Sequence, residues 1–244
     1  ATQAVGARAV ATPAKNWGHD LDAMARAVSA RTRLVFIANP NNPTGTWNDA
    51  ASLERLIAAL PERVIVVVDQ AYAEYVEVQG YPDCIEWLPR FPNLVVTRTF
   101  SKAHGLAGLR VGYAVSSPAI AEILNRVRQP FNVSSPALAA ARAALEDDAH
   151  IERSREVNRN GIEQLRRGFD AMGIEYIPSV ANFLCFEVPG DAGDVYARLL
   201  AEGVIVRPVA GYGLARHLRV SVGLEEENAR FLAALDKVIA GGGA

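Results

Sequence analysis

Val64-Ile-Val-Val-Val-Asp69 is a nearly unbroken β-branched run that ends on a carboxylate. Runs of this kind mark strands covered on both faces in a parallel sheet, because the apolar–polar alternation is lost when neither face meets water. Leu34-Val-Phe-Ile-Ala38 is a second apolar run, stopped by Asn39-Pro40. Between the two, Asn48 to Leu60 places Leu53, Leu56, Ile57 and Leu60 at helical spacing, with Asn48 or Asp49 as N-cap and Pro61 closing the segment. An earlier helix runs from Asp20 to Ala30, and Leu94-Val-Val-Thr97 and Val111-Gly-Tyr-Ala-Val115 add two strands. Strand–helix–strand alternation predicts an α/β domain with a mostly parallel sheet.

The second half changes character. Pro118 to Arg128 reads as a helix, broken by Gln129-Pro130-Phe131-Asn132. Ser135 is the expected cap of a helix from Pro136 to Leu145, and a long charged helix from about Ala149 to Met172 is ended by Gly173. Strands are expected at Glu175–Ile177, Phe183–Val188, Val204–Val206 and His217–Val222, with helices at Ala192–Glu202 and Glu225–Ile239 and a frayed tail at Gly241–Gly243. This pattern reads as a smaller α+β domain with an antiparallel sheet. A boundary near Gln129 to Ser134 divides the chain into residues 1–130 and 131–244.

Composition narrows the function classes. A net charge of −2 gives no basic field for nucleic acid or an anionic membrane. No stretch reaches the roughly 18 apolar residues of a membrane span. Cys84 and Cys185 match neither a zinc pattern nor a disulfide framework, so a reducing, cytoplasmic setting is expected. His19, His104, His150 and His217 show no metal-ligand spacing, and no metal is expected. Ala1 to Val10 contains Gln3 and Arg8 and lacks a continuous apolar stretch. The chain opens on Ala1 rather than methionine, with residues 1–15 reading as an element inside a domain, so it is expected to be part of a longer chain.

The chemistry-bearing residues sit at strand ends. Ser101-Lys102 follows a strand, Arg110 lies eight residues on, and upstream come Asn41-Asn-Pro-Thr-Gly45 and Asp69-Gln-Ala-Tyr72. An amine, an acid, hydroxyls and an arginine in that order have the parts to hold a phosphorylated aromatic aldehyde, pyridoxal 5′-phosphate. Asp69 is either the anion for the ring N–H⁺ or a helix cap or loop salt bridge; an unpaired carboxylate ending a buried strand is costly. Tyr72 is either a donor to the ring hydroxyl O3′ or a packing residue. Asn42 is either a second O3′ contact or simply a turn residue. Thr99 and Ser101 can face a phosphate while Lys102 turns toward the aldehyde. Arg110 lies in Gly105-Leu-Ala-Gly-Leu-Arg-Val-Gly112, where small residues allow close approach to a ligand. Arg219, in His217-Leu-Arg-Val-Ser-Val-Gly223, is either a solvated edge residue or a fork for an anionic substrate.

Here the residues match a family. The chain resembles fold-type I aminotransferases, and among them the histidinol-phosphate aminotransferases, through Ala38-Asn-Pro-Asn-Asn-Pro-Thr-Gly45, Val68-Asp-Gln-Ala-Tyr72, Arg98–Gly112, Ala181-Asn-Phe183, Val206-Arg-Pro208 and Leu218–Gly223. The resemblance implies a fold-type I α/β architecture: a mostly parallel central sheet with helices on both faces, partly present in residues 1–130, plus the smaller α+β C-terminal domain. It implies that Lys102 forms the imine with the cofactor and shuttles the proton. It implies Asp69 as pyridinium partner, Asn42 and Tyr72 at O3′, and Thr99, Ser101 and Arg110 at the phosphate. Arg219 becomes the substrate-anion clamp, with Asn182 near it. The implied reaction exchanges an amino group between L-histidinol phosphate and 2-oxoglutarate, a step of histidine biosynthesis, in a cytoplasmic homodimer.

Two residues depart from the family pattern. Gln70 stands where glutamate is usual and is expected to point away from the cofactor, and His104 is expected to pack rather than titrate. Family members also carry an N-terminal segment that supplies a phosphate turn, a ring stacked on the cofactor and an arm to the other subunit. The chain by itself is therefore expected to bind the cofactor weakly and to transaminate poorly. The rival readings are an aromatic-amino-acid aminotransferase, a lyase resembling threonine-phosphate decarboxylase, and a chain that only folds or associates.

Overall fold

The computed structural model describes residues 2–241; Ala1 and residues 242–244, with most of the glycine tail, lie outside the described residues. The first paired element was not anticipated. β1 (Ala14–Lys15) and β2 (Gly18–His19) form a hairpin around Asn16 and Trp17, both at positive φ (50° and 64°). A two-residue hairpin turn of this kind needs positive φ at both central positions. Trp17 is bulky for that region, and it is held from both sides. Its ring lies 5.4 Å from that of His217, and its carbonyl accepts from the Thr46 hydroxyl at 3.1 Å.

The α/β half then unfolds in order. α1 (Leu21–Ala27) is capped by Asp20, whose carboxylate accepts from the Ala23 amide. β3 (Leu34–Ala38) leads to α2 (Ala50–Ala59), where Asp49 is the cap, and on to β4 (Ile65–Asp69), β5 (Leu94–Thr99), β6 (Gly112–Ser116) and α3 (Pro118–Val127). β3, β4 and β5 are parallel, and β6 returns antiparallel to β5. Ile37, Val66, Val68, Leu94 and Val96 face Leu53, Leu56 and Ile57 of α2 in one apolar core. On the other face of β3, Leu34 and Phe36 are 52% and 62% exposed.

α4 (Ser135–Ala144) packs Ala137 and Ala141 against Phe100 and Val111, the residues that flank the Lys102 turn. Its cap is Ser134, one residue before the expected Ser135, because the Ser134 hydroxyl is the one that accepts from the Ala137 amide. α5 (Asp148–Met172) ends at Gly173 in the left-handed region (φ 67°). After it come β7 (Tyr176–Ile177), β8 (Phe183–Glu187), α6 (Ala192–Ala201), β9 (Arg207–Pro208), β10 (His217–Ser221) and α7 (Glu225–Ala240). The sheet order is β7-β8-β10-β9, all antiparallel. Phe169 of α5, Phe186 of β8 and Phe231 of α7 meet at its centre, with ring centroids 4.8 and 5.7 Å from Phe186. The strand expected at Val204–Val206 does not form. That stretch closes α6 instead: the Gly203 and Val204 amides donate to Leu200 and Leu199, and pairing begins only at Arg207.

The two sheets are joined by the Asn41–Gly45 turn. Two of its amides are satisfied internally, Asn41 N–H to Thr46 O and Gly45 N–H to Asn41 O, both 2.7 Å. Gly45 (φ 74°) lies flat on Ser179; a Cβ there would come within 1.9 Å of the Ser179 Oγ and 3.0 Å of its Cα. The Gly45 carbonyl accepts from the Val180 amide at 3.0 Å. Among the described residues no helix is long and apolar enough to cross a membrane.

Two outcomes are expected. Gly45→Ala combines a positive-φ penalty with a clash against backbone and should lower stability by about 1–3 kcal/mol; an unchanged urea midpoint would show that the turn does not join the halves. His19 accepts the Ala38 amide on Nε2 (3.2 Å), and burial lowers its pKa below 6.5. Its neutral ring stabilises the fold fully above the unfolded pKa of about 6.5, and that stability is lost as pH falls below it. His19→Gln should flatten this slope in pH-dependent urea titrations.

Candidate active site

Parallel pairing brings the carboxyl ends of β3, β4 and β5 to one edge, where the register aligns Ala38, Asp69 and Thr97. Asp69 ends a buried apolar strand as expected, but the residue itself is exposed at that edge. The strand's last residue projects beyond the core, so no desolvation penalty forces it to pair within the chain. Its Oδ1 accepts from the Ala71 amide and the Thr97 hydroxyl, each at 3.2 Å, and Oδ2 has no partner among the described residues.

Lys102 occupies a tight turn held by Gly105 N–H to Lys102 O (2.9 Å) and Leu106 N–H to Phe100 O (2.8 Å). Its amine lies 5.3 Å from the centroid of the Tyr72 ring. Tyr72, 5% exposed, meets Phe183 edge-on at 5.2 Å. The guanidinium of Arg219 lies over the same Phe183 ring, 4.8 Å from its centroid, and its Nη1 donates to the Asn42 side-chain oxygen. One aromatic wall thus carries an amine at one end and an anion-binding fork at the other. Arg219 also keeps its buried Nε without a partner among the described residues.

The β5–β6 ladder pairs Thr99 with Gly112, and the Phe100 amide donates to Val111 O, so Arg110 comes opposite Ser101. Arg110 sits at φ 53° after a single 3-10 turn (Ala107–Leu109), with Nη1 donating to Ala107 O at 2.7 Å. Thr99 Oγ1 accepts the Ser101 amide at 3.1 Å. As a donor set these groups fit pyridoxal 5′-phosphate: a carboxylate with a free oxygen for the ring N–H⁺, an amine with no carboxylate partner among the described residues for the aldehyde, and hydroxyls beside an arginine for the phosphate. The chain has only three lysines. Lys15 is exposed in β1 and Lys237 pairs with Glu202 at 2.8 Å, which leaves Lys102 as the one at the sheet's carboxyl edge.

Asn182 makes no hydrogen bond to Arg219 among the described residues. It lines a cavity of about 260 Å³ with Tyr75, His150, Ser154 and Asn158. Burial raises the pKa of Tyr75, so the phenol stays protonated there. Gln70 does point behind the sheet. Its amide donates to the Tyr81 hydroxyl (3.0 Å) and Pro82 O (2.8 Å) and accepts from the Cys84 amide (3.3 Å) and Arg98 (3.2 Å). Arg98 in turn pairs with Glu74 (3.3 Å) and Asp83 (2.9 Å). His104 packs its ring 5.0 Å from Phe100. Burial pushes both thiols, Cys84 and Cys185, up to about 12, which keeps them from acting as nucleophiles.

Sequence reasoning missed Arg207 as a site residue. It stands directly opposite Arg219 across β9 and β10. Like charges in that position repel unless an anion lies between them. The available signal was a second arginine in a segment next to the same sheet, but only the register shows the pairing. Phe183 was visible only as part of a matching segment, not as the wall between the amine and the fork.

Comparison with known proteins identifies the family. The family described as aminotransferase class I and II matches residues 2–235. Histidinol-phosphate aminotransferase 1 of Nitrosococcus oceani is 59% identical over 97% of this chain and 64% of that protein. Histidinol-phosphate aminotransferase 2 of Pseudomonas aeruginosa is 60% identical over 98% of this chain and 65% of that protein. The crystal structure of histidinol-phosphate aminotransferase from Sinorhizobium meliloti in complex with pyridoxal-5′-phosphate superposes with a TM-score of 0.89 at 34% identity, covering 97% of this chain and 65% of that one. The chain therefore spans just under two thirds of the length of these relatives.

Arg98→Met would strand Glu74 and Asp83 beside a half-filled pocket. Arg98 and Glu74 side chains are only 13% and 11% exposed, so the loss should be about 3 kcal/mol. Urea denaturation measures it; a midpoint equal to wild type would reduce the network to a surface contact.

Proposed function

The chain belongs to the class I and II aminotransferases, and from that premise we propose that it carries the lysine, acid and substrate-anion parts of an enzyme exchanging an amino group between L-histidinol phosphate and 2-oxoglutarate, a step of histidine biosynthesis. The single observation that carries this reading is the Phe183–Tyr72 wall, with the Lys102 amine at one end and the Arg219 fork at the other. An amine-transfer site needs those two functions at a fixed separation on one surface.

Pyridoxal 5′-phosphate, when bound, supplies an electron-withdrawing pyridinium ring that acidifies the α-carbon of an amine substrate. Asp69 would keep the proton on the ring nitrogen through its unpartnered Oδ2. Asn42 and Tyr72 would orient the ring through O3′, and Thr99, Ser101 and Arg110 would take the phosphate. Lys102 Nζ would serve as the base that takes the α-proton of the amine substrate and holds it for return. Tyr72 lies beneath that amine and limits its freedom. Arg219, opposite Arg207, accepts the phosphate of one substrate or the carboxylate of the other, because a guanidinium forks equally onto both. Asn42 already holds one Nη of Arg219 in place.

Incubation with pyridoxal 5′-phosphate, reduction with sodium borohydride and peptide mass mapping test the reading. The pyridoxyl mass is expected on Lys102 and not on Lys15 or Lys237; a label confined to the other two lysines, or none, overturns it. Arg219→Met should leave this label intact while raising KM for histidinol phosphate about 10–100-fold, as expected for loss of one charged hydrogen-bonding partner. Carbon dioxide release in place of amine transfer would reassign the site to a lyase.

A further inference from the structure

We propose that His150 and Ser154 are positioning residues that set the direction of the Lys102 amine by holding the carbonyl of Ala103. The proposal rests on the reading of Lys102 given above. Neither residue is among the cofactor or substrate contacts, and both lie on α5, far away in sequence.

The two side chains are one helical turn apart and so face the same way. His150 Nε2 donates to Ala103 O at 3.0 Å and Ser154 Oγ donates to the same oxygen at 3.2 Å, filling both of its lone pairs. Ala103 is only 2% exposed, so this carbonyl has little recourse to water. The turn around Lys102 is fixed on its other side by the Ser101 amide to Thr99 Oγ1 and by the Leu106 amide to Phe100 O. Among the described residues the amine has no acid partner, and it lies 5.3 Å from the centroid of the Tyr72 ring. A four-carbon lysine stem without an ion pair takes its direction from the backbone that bears it. The grip on residue 103 is therefore what aims it.

The same face of α5 continues the pattern. Asn158, one turn further, donates to Ala181 O at 3.3 Å, next to the strand that begins with Phe183. Arg155 donates to Glu74 O at 2.6 Å, two residues past Tyr72. One rigid helix thus holds backbone beside Lys102, beside Tyr72 and beside Phe183, and fixes the three relative to one another. His150 and Ser154 also line the cavity of about 260 Å³, so trimming them opens space that already exists and does not hollow the core.

The three lysines of the chain make the test internal. Trace acylation of the intact chain with acetic anhydride, without cofactor, gives the reactivity of Lys102 relative to Lys15 and Lys237. In a His150→Ala, Ser154→Ala double variant the released amine is expected to react about threefold or more faster relative to Lys15, the factor that loss of such hydrogen bonds allows. Pyridoxal-phosphate-dependent borohydride labelling of Lys102 should fall in the same variant, and His150→Gln, which keeps a donor, should stay near wild type in both. A Lys102 to Lys15 ratio unchanged from wild type overturns the proposal, as does an equal rise at Lys237, which would report general loosening. Wild-type chain that takes no pyridoxyl label on Lys102 refutes the cofactor reading instead, while the acylation ratio still decides the clamp.

Discussion

Parallel pairing of three short strands is the constraint from which the site follows. Because β3, β4 and β5 run the same way, each must end at the same edge, and each ends on a polar residue there: Asn39 after β3, Asp69 on β4, Thr97 and Thr99 on β5. An antiparallel order would scatter these groups over two edges. β6 is the exception, and its reversal is useful, because it folds the chain back so that Arg110 returns beside Ser101. Burial of Ile37, Val66, Val68, Leu94 and Val96, each at 0% exposure, locks the register. A slip of one residue would turn Asp69 into the core and Val68 into the cleft.

The site is nevertheless split between two sheets, and its geometry depends on how they dock. Asn42 comes from the turn after β3 and Arg219 from β10, yet their side chains bond each other. Gly45 on Ser179 and Gly45 O on the Val180 amide bring the halves within backbone distance. The hairpin tip adds a third strut, with Trp17 reaching from β1–β2 to His217. The ion pair in which Arg159 Nη1 donates to both Glu77 carboxylate oxygens at 2.6 and 2.9 Å lies outside on the rim, where solvent screening leaves it little energy. The docking is therefore carried by close backbone approach and buried polar contacts more than by surface charge.

This division explains what could be read from residues alone. The β-branched run ending in Asp69, the capped helices and the Ser101-Lys102 turn are local patterns, and local physics sets them. The end of α6 was misjudged because Val204–Val206 has strand composition, while Gly203 at φ 75° and the two backbone bonds closing the helix take those residues first. The cost of leaving Asp69 unpaired was overstated, because strand composition describes the core and not the rim. The Arg98 network, the Arg207–Arg219 pairing and the grip of α5 on Ala103 join residues far apart in sequence, and no short window contains both partners. The Ala103 contacts, for example, span 47 and 51 residues.

Gln70 shows how such a hidden network decides a residue that looked anomalous beside Asp69. Behind the sheet, Arg98 already faces two carboxylates, Glu74 and Asp83. A third acid at position 70 would place three negative charges around one cation in a partly buried space. It would also lose the two bonds that the Gln70 amide donates to the Tyr81 hydroxyl and Pro82 O. Tyr81 is itself committed, donating to Asn39 O at 2.5 Å, and burial raises its pKa so that it remains a donor. Asn39 O lies at the end of β3, one residue past Ala38, the register partner of Asp69. A neutral amide at 70 therefore completes a chain of bonds from Arg98 to the edge that carries Asp69. Gln70 thus supports that edge from behind the sheet while its own side chain stays out of the cleft.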